Sequence, residues 1–180
     1  PIYGCDAFWN TFWNLNQLWA LATPDIMNKW VESLLEYYRV GGWLPNGPPG
    51  VEYCDIMGAQ HEIPLMVSAY QKGIRNYDVD KAYEAVKKTL TTQGTALSSG
   101  GIVGNRHLDV YLKYGFVPYG EKSHHNVFGT TYEGPTSNTL EYAFDDWNAA
   151  QFAKALGYEE DYDYFTRRAY NYKNVFDSET

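Results

Sequence analysis

The chain has little cysteine, little positive charge and no long apolar run, and each shortage excludes a class of protein. Cys5 and Cys54 are the only cysteines, and no CxxC or Cys/His spacing suits zinc, so we expect two buried thiols. The 22 acidic residues outnumber the 14 basic ones, and a net charge of −8 argues against nucleic acid and anionic membranes as partners. No apolar stretch approaches the roughly 20 residues that cross a bilayer.

The sequence also lacks the short signatures of several enzyme classes. It contains no GxSxG, HExxH, P-loop, GxGxxG or EF-hand pattern, so serine hydrolase, zincin, nucleotide and EF-hand functions have no support. His124 and His125 stand in a loop rich in Gly, Ser and Thr, where an exposed pair is commoner than a metal site. We therefore assign no metal ligand. The first residues form no signal peptide, so the residues themselves leave the compartment open.

Aromatic residues are abundant instead. They make up 17% of the chain, with 17 Tyr, 8 Phe and 6 Trp. Aromatic rings stack on the apolar C–H faces of sugars, but they also fill wide helical cores. Composition alone leaves both explanations open.

The hydrophobic pattern along the chain is helical. An apolar stripe predicts a helix over residues 6–21, and Thr23 followed by Pro24 marks the start of the next one. Turn and cap residues predict the remaining helices, so that the full set covers 6–21, 24–41, 62–72, 80–92, 105–115, 138–156 and 160–175. Residues 42–53 hold three prolines and must form an irregular loop. We thus predict an all-α fold of about seven helices in hairpins, without strands, with the fourth helix on the outside.

The first predicted helix carries a polar stripe that favours carbohydrate. Asn10, Asn14 and Gln17 are spaced to share one helical face, and Trp9 and Trp13 adjoin it. Neutral amides both donate and accept hydrogen bonds, as sugar hydroxyls require. The alternative is that these amides face water or bond to the neighbouring backbone.

Two acidic groups are further candidates. His61 and Glu62 precede a helix N-terminus, where the dipole favours anionic or hydroxyl ligands, although local bonding explains them equally. In the segment NTLEYAFDDW, Glu141 and Asp145 lie four apart with Asp146 beside them. Paired carboxylates are the acid and base of glycoside hydrolysis.

A structural explanation competes for these carboxylates. With Asn138, Glu141 fits a capping box, and arginines are available to neutralise the two aspartates. The candidate arginines are Arg106, Arg167 and Arg168.

Four sequence blocks together resemble family 92 of the glycoside hydrolases, the calcium-dependent exo-α-mannosidases. They are GCDAFWNTFWNLNQLW, then GWLPNGPPGVEY with HEIPLMVSAYQKGI, then YLKYGFVP, and finally SNTLEYAFDDW followed by YFTRRAYNYKNVFD. The blocks span nearly the whole chain in the family's order.

The resemblance implies that residues 1–180 are one segment of an (α/α)6 toroid, a catalytic domain joined in complete members to an N-terminal β-sandwich. The sandwich and the C-terminal remainder of the toroid would be absent here. It implies inverting removal of terminal α-mannose from glycans, with an α-1,2 linkage expected, and a periplasmic or secreted location. The family's acid and base motifs and the calcium ligands would lie outside this chain, which by itself would be inactive.

The resemblance also implies a sugar-binding wall. Its candidates are Trp9, Asn10, Trp13, His61 and Glu62, while Glu141, Asp145 and Asp146 are weak catalytic candidates that more readily support the wall. Many members have an aspartate, in a motif like WDTFR, where this chain has Asn10, so a charged sugar contact becomes neutral. The alternatives are a carbohydrate-binding helical module without chemistry, and another (α/α)6 glycosidase that uses Glu141 and one aspartate.

Overall fold

The computed structural model describes residues 2–5, 7–49, 53, 58–98, 101–119, 134–177 and 179. Within these ranges, seven α-helices make up most of the fold, which confirms the all-α prediction. They are α1 (Leu15–Ala22), α2 (Pro24–Gly41), α3 (Glu62–Gln71), α4 (Val79–Thr91), α5 (Leu108–Tyr114), α6 (Pro135–Leu156) and α7 (Glu159–Ala169). Short 3-10 helices cover Thr11–Trp13 and Tyr170–Val175.

The expectation of no strand is wrong at one place. Strands β1 (Thr95–Ala96) and β2 (Ile102–Val103) pair antiparallel, with Thr95 opposite Val103. Two residues per strand add little, and the fold remains helical.

The predicted first helix is wrong over its first half. Asn10 adopts a left-handed conformation with φ 67°, and Asn14 leaves the helical region with φ −151°. The chain before Asn10 instead binds the proline-rich loop, where the Cys5 and Phe8 amides donate to the Pro48 and Asn46 carbonyls at 3.0 and 3.1 Å. Only Leu15–Ala22 is α-helical, so the proposed amide stripe does not lie on one helix face.

Helices α2 and α3 begin and end where proline and glycine in the sequence predict. Pro24 occupies the first helical position, and Gly42 ends α2 with φ 78°, which only glycine adopts without strain. Helix α3 stops before Gly73, which has φ 82°. Together with α4 and α6, these helices enclose the main hydrophobic core, whose fully buried members include Met27, Val31, Leu34, Ile63, Leu65, Met66, Ala82, Val86, Ala149 and Phe152.

Helix α6 starts earlier than predicted. It begins at Pro135 after Gly134, which is left-handed with φ 67°, so Asn138 and Glu141 lie inside the helix and form no capping box. Gly157 ends α6, and α7 follows after a two-residue turn. The side chain of Glu141 is therefore available for a contact with another part of the chain.

Helices α4, α5 and α7 depart from the predictions in smaller ways. Helix α4 buries one face in the core and is not simply an outer helix. Helix α5 begins at Leu108, later than predicted, and α7 gives way to a 3-10 helix at Tyr170. None of the described helices is long and apolar enough to cross a membrane.

Candidate functional site

The candidate site is centred on His61, which is fully buried at the start of α3. Its Nδ1 accepts a hydrogen bond from the backbone N–H of Asn10 at 3.2 Å. Its Nε2 lies 2.7 Å from a carboxylate oxygen of Glu141 on α6. Because a backbone N–H can only donate, Nδ1 must be unprotonated, and Nε2 carries the proton that it donates to Glu141. His61 thus connects the N-terminal segment to α6.

Two phenylalanines hold the imidazole ring in this orientation. Phe12 and Phe144 meet it edge to face, with centroid distances of 5.0 and 6.1 Å. The two phenylalanine rings also pack against each other at 4.5 Å. Such aromatic contacts fix the ring plane, so the histidine keeps both of its hydrogen bonds.

Asp145 lies one turn after Glu141 on the same helix and is fully buried. One of its oxygens accepts the backbone N–H of Gln60 at 2.9 Å. Burial raises the pKa of Asp145 well above its usual range, whereas the nearby His61 and the Gln60 amide lower it. The neighbouring Glu62 and Glu141 charges raise it further, so the site gathers three carboxyl groups around one histidine.

The third predicted carboxylate, Asp146, faces a different part of the molecule. Arg168 approaches both of its oxygens, with Nη2 2.7 Å from Oδ1 and Nε donating to Oδ2 at 3.1 Å. The Tyr111 hydroxyl donates to Oδ2 at 2.9 Å. Burial raises the pKa of Asp146 to about 7, although Arg168 and Tyr111 act in the opposite direction. Of the three predicted arginines, Arg168 is the one that pairs with this aspartate.

Trp9 and Trp13 lie beside the His61 cluster at the surface. They are 44% and 68% exposed, unusual values for indole rings, and Trp13 packs edge to face on Phe12 at 6.2 Å. Asn10 lies between them in sequence, partly exposed, with its backbone bound to His61. The predicted wall residues Trp9, Asn10, Trp13, His61 and Glu62 therefore lie in one region, in which His61 and Glu62 are buried and the two indoles are exposed.

Sequence reasoning missed Phe12, Gln60 and Phe144 as parts of this site. Phe144 follows Glu141 by three positions, so the helical spacing already placed it on the same side of α6. Nothing in the sequence connected Gln60 with Asp145, because this contact joins residues 85 positions apart.

Two sequence-based predictions, on the cysteines and on the histidine pair, involve three residues outside the described ranges. Cys54, His124 and His125 lie outside the described residues, and Cys5 is half-buried. Among the residues that the structure does describe, no three His, Cys, Asp or Glu side chains are arranged to hold a metal ion.

Comparison with known proteins agrees with this architecture. The profile of the glycosyl hydrolase family 92 catalytic domain matches residues 1–180. An uncharacterized secreted glycosidase of Arthroderma benhamiae is 27% identical over 186 residues, which cover 95% of this chain and 23% of that protein.

Solved structures show the same similarity in three dimensions. The family GH92 inverting mannosidase BT2199 from Bacteroides thetaiotaomicron matches with a TM-score of 0.84 and 29% identity, over 99% of this chain and 22% of its own. The α-mannosidase BT3965 from the same organism, in complex with mannoimidazole, matches with a TM-score of 0.82 and 28% identity, over 99% and 21%. The chain therefore spans less than a quarter of the length of these relatives.

Proposed function

Because the chain belongs to the catalytic domain of glycosyl hydrolase family 92, we propose that its protein removes terminal α-linked mannose from glycans, with α-1,2 linkages preferred. The reaction would invert the anomeric configuration, and this chain would supply part of the sugar-binding wall. The similarity to an inverting mannosidase and to a mannosidase that binds mannoimidazole supports the substrate class. A periplasmic or secreted location is part of the proposal, since one relative is a secreted glycosidase.

One observation carries this assignment: the turn at Asn10, flanked by exposed Trp9 and Trp13, is bound by the buried His61, which in turn binds Glu141. Exposed indoles provide stacking surfaces for the apolar face of a sugar ring. A neutral amide between them provides both a donor and an acceptor for hydroxyl groups. A fixed backbone keeps these groups in place before the sugar arrives, which lowers the entropic cost of binding.

The catalytic acid and base are proposed to lie outside this chain, and the described carboxylates are proposed to support the wall. Asp145 and Asp146 have no solvent exposure, so a substrate would have to displace packed side chains to reach them. The side chain of Glu141 is 26% exposed, but one of its oxygens already accepts the hydrogen bond from His61 Nε2.

Calcium belongs to the proposal only for the complete enzyme. No described cluster of His, Cys, Asp or Glu fits an ion, and the calcium ligands are proposed to lie outside this chain. We further propose that the chain is one segment of an (α/α)6 toroid whose remainder, like an N-terminal β-sandwich, lies elsewhere in the protein. The coverage of less than a quarter of each relative supports this.

Mannose release from α-1,2-linked mannobiose tests the reaction. We expect the complete catalytic domain to release β-mannose first, as followed by NMR of the anomeric proton, and a calcium chelator to abolish release. The 180-residue chain, once circular dichroism shows that it is helical, should release none. Calcium-dependent release by this chain alone would overturn the proposal that the catalytic acid and base lie outside it. Glu141 would then be the leading catalytic candidate.

Mannoimidazole binding tests the proposed wall itself. Trp13→Ala should weaken binding to the complete domain by roughly 10-fold, the loss expected for one stacking ring. Leu21→Ala is the matched control, because Leu21 is also exposed, at 85%, but lies away from His61 on α1. Equal effects of the two substitutions would contradict the wall. Saturable binding by the 180-residue chain without any turnover would instead favour a carbohydrate-binding module.

A further inference from the structure

We infer that His61 is a positioning residue for the left-handed turn at Asn10, which it holds only in its neutral form with the proton on Nε2. A second proton on the ring releases the turn. The consequence for sugar binding, which deepens the proposed function and rests on it, is that acidification loosens the wall formed by Trp9 and Asn10.

The turn at Asn10 combines a strained backbone conformation with local hydrogen bonds and one contact from a distant residue. Asn10 is the one non-glycine residue with a positive φ among the described residues. Asparagine tolerates this region better than most residues, but the conformation still has an energetic cost. Within the segment, two local hydrogen bonds close the turn: the Thr11 amide donates to the Phe8 carbonyl at 3.0 Å, and the Trp13 amide donates to the Asn10 carbonyl at 3.1 Å. The Asn10 amide itself is bound by His61.

The two hydrogen bonds of His61 specify one protonation state. Nδ1 must present a lone pair to the Asn10 amide, while Nε2 presents its hydrogen to Glu141. In the imidazolium form both nitrogens carry hydrogens. The Nδ1 hydrogen would then point at the Asn10 N–H across 3.2 Å, and two donors repel each other. The bound turn and the protonated ring therefore exclude each other.

The carboxylates around His61 favour its protonated form by raising the pKa of the ring. From α6, Glu141 and Asp145 face the ring, and Glu62 on the same helix as His61 lies near Asp145. The N-terminal segment contributes Asn10 and Phe12, which do not titrate. Burial opposes protonation, but the Glu141 hydrogen bond and the two carboxylate charges raise the pKa of His61 overall.

Nuclear magnetic resonance of the protein labelled with nitrogen-15 tests the tautomer without any ligand. At alkaline pH, above the raised pKa of His61, the ring signals should be those of an imidazole protonated on Nε2 and bare on Nδ1. As the pH falls, the ring should take up its second proton, and protection of the Asn10 amide from hydrogen exchange, corrected for the intrinsic rate, should fall roughly five- to tenfold. A neutral ring protonated on Nδ1 at alkaline pH would overturn the inference, as would Asn10 protection that does not change when His61 titrates.

Two substitutions separate the two hydrogen bonds. His61→Asn retains an acceptor near the position of Nδ1 and loses the Glu141 contact, whereas His61→Gln retains a donor near Nε2 and loses the Asn10 contact. We expect Asn10 protection to be independent of pH in both, high in His61→Asn and low in His61→Gln. The reverse order would overturn the inference, and the tautomer measurement decides it if either variant does not fold.

Titration with mannoimidazole at several pH values tests whether protonation of His61 changes sugar binding. If the proposed function is right, affinity for the complete domain falls with His61 protonation in the wild type and not in His61→Asn. No binding at any pH, with the tautomer and exchange results as expected, would refute the proposed function and leave the inference about His61 intact. An affinity that does not change when His61 is protonated would refute only the link between the turn and the sugar.

Discussion

Asp145 and Asp146 are neighbours on α6 and equally buried, yet they belong to two different kinds of environment. Asp146 has an arginine on both oxygens and a tyrosine hydroxyl besides. Asp145 has one backbone amide and a nearby histidine, with two more carboxylates close by. Successive residues on a helix point about 100° apart, so one step along α6 separates the two environments.

The environment of Asp146 stabilises the fold. Arg168 extends from α7 and also donates to the Leu90 carbonyl at the end of α4, at 2.9 Å. Tyr111 adds α5 to the same network. A fully paired buried charge of this kind joins four helices, and its removal is costly because the partner is left buried alone.

The environment of Asp145 is poorly compensated by comparison. Burial and like charges both oppose its ionisation, and such arrangements are typical of functional sites. The contrast teaches that the acidic pair in FDDW has two roles, one in holding the helices together and one in the cluster around His61.

The largest expected effect comes from breaking the Asp146 network. Arg168→Met should lower the free energy of unfolding by about 3–5 kcal/mol, because it strands the Asp146 carboxylate in the core. Urea denaturation at pH 8 measures this. Arg167→Met is the control, since Arg167 is the exposed neighbour, and it should change stability by less than about 0.5 kcal/mol. Equal losses in both variants would mean that the ion pair does not have the assigned role.

The second prediction uses the pH to distinguish the two environments. Asp145 has a pKa raised above its unfolded value of 3.8, so the folded state holds more protons above about pH 4. Stability then falls as the pH rises through the interval between the two pKa values, by at most about 1.4 kcal/mol per pH unit. Asp145→Asn does not titrate, so its stability relative to the wild type should increase from pH 4 to pH 7.

Unfolding curves at several pH values check this expectation. Asp163→Asn, at an exposed position on α7, is the control and should show a nearly constant difference from the wild type. A constant difference for Asp145→Asn as well would show that its environment does not raise the pKa of Asp145, and the assigned contrast with Asp146 would fail.

The smallest effect is expected at the turn that His61 holds. Asn10→Ala should destabilise the protein by about 1 kcal/mol because alanine tolerates a φ of 67° less well than asparagine does. Asn10→Gly should be nearly neutral, since glycine adopts this region freely. Asn14→Ala is the control, because Asn14 has a negative φ of −151° and its side chain makes no cap hydrogen bond. Thermal unfolding separates the three, and a loss as large in Asn10→Gly as in Asn10→Ala would exclude backbone strain as the cause.

Sequence reasoning succeeded where local signals decide the structure. Thr23 and Pro24 marked the start of α2, and Gly42 and Gly73 marked where α2 and α3 end, because cap conformations depend on a few adjacent residues. The resemblance to family 92 rested on blocks such as SNTLEYAFDDW, and the match over residues 1–180 confirms it. The carboxylate candidates were found from helical spacing alone.

It failed where a distant contact overrides the local pattern. The apolar spacing of Phe8, Phe12 and Leu15 fits a helix, but the segment binds the loop that carries Asn46 and the ring of His61 instead. Likewise, Glu141 was expected to cap its own helix, yet its side chain accepts a hydrogen bond from His61, which lies 80 positions away. No periodicity within either segment contains that information.

By itself, then, the sequence determined that the chain is helical, where most helices end, and to which family it belongs, because these follow from hydrophobic period, cap residues and motif blocks. Only the tertiary structure decided that His61 lies between Asn10 and Glu141 and that Asp145 and Asp146 face different partners. The reason is physical: burial and pairing of charges depend on which segments meet in space, and the segments that meet here are separated by 22 to 85 positions along the chain.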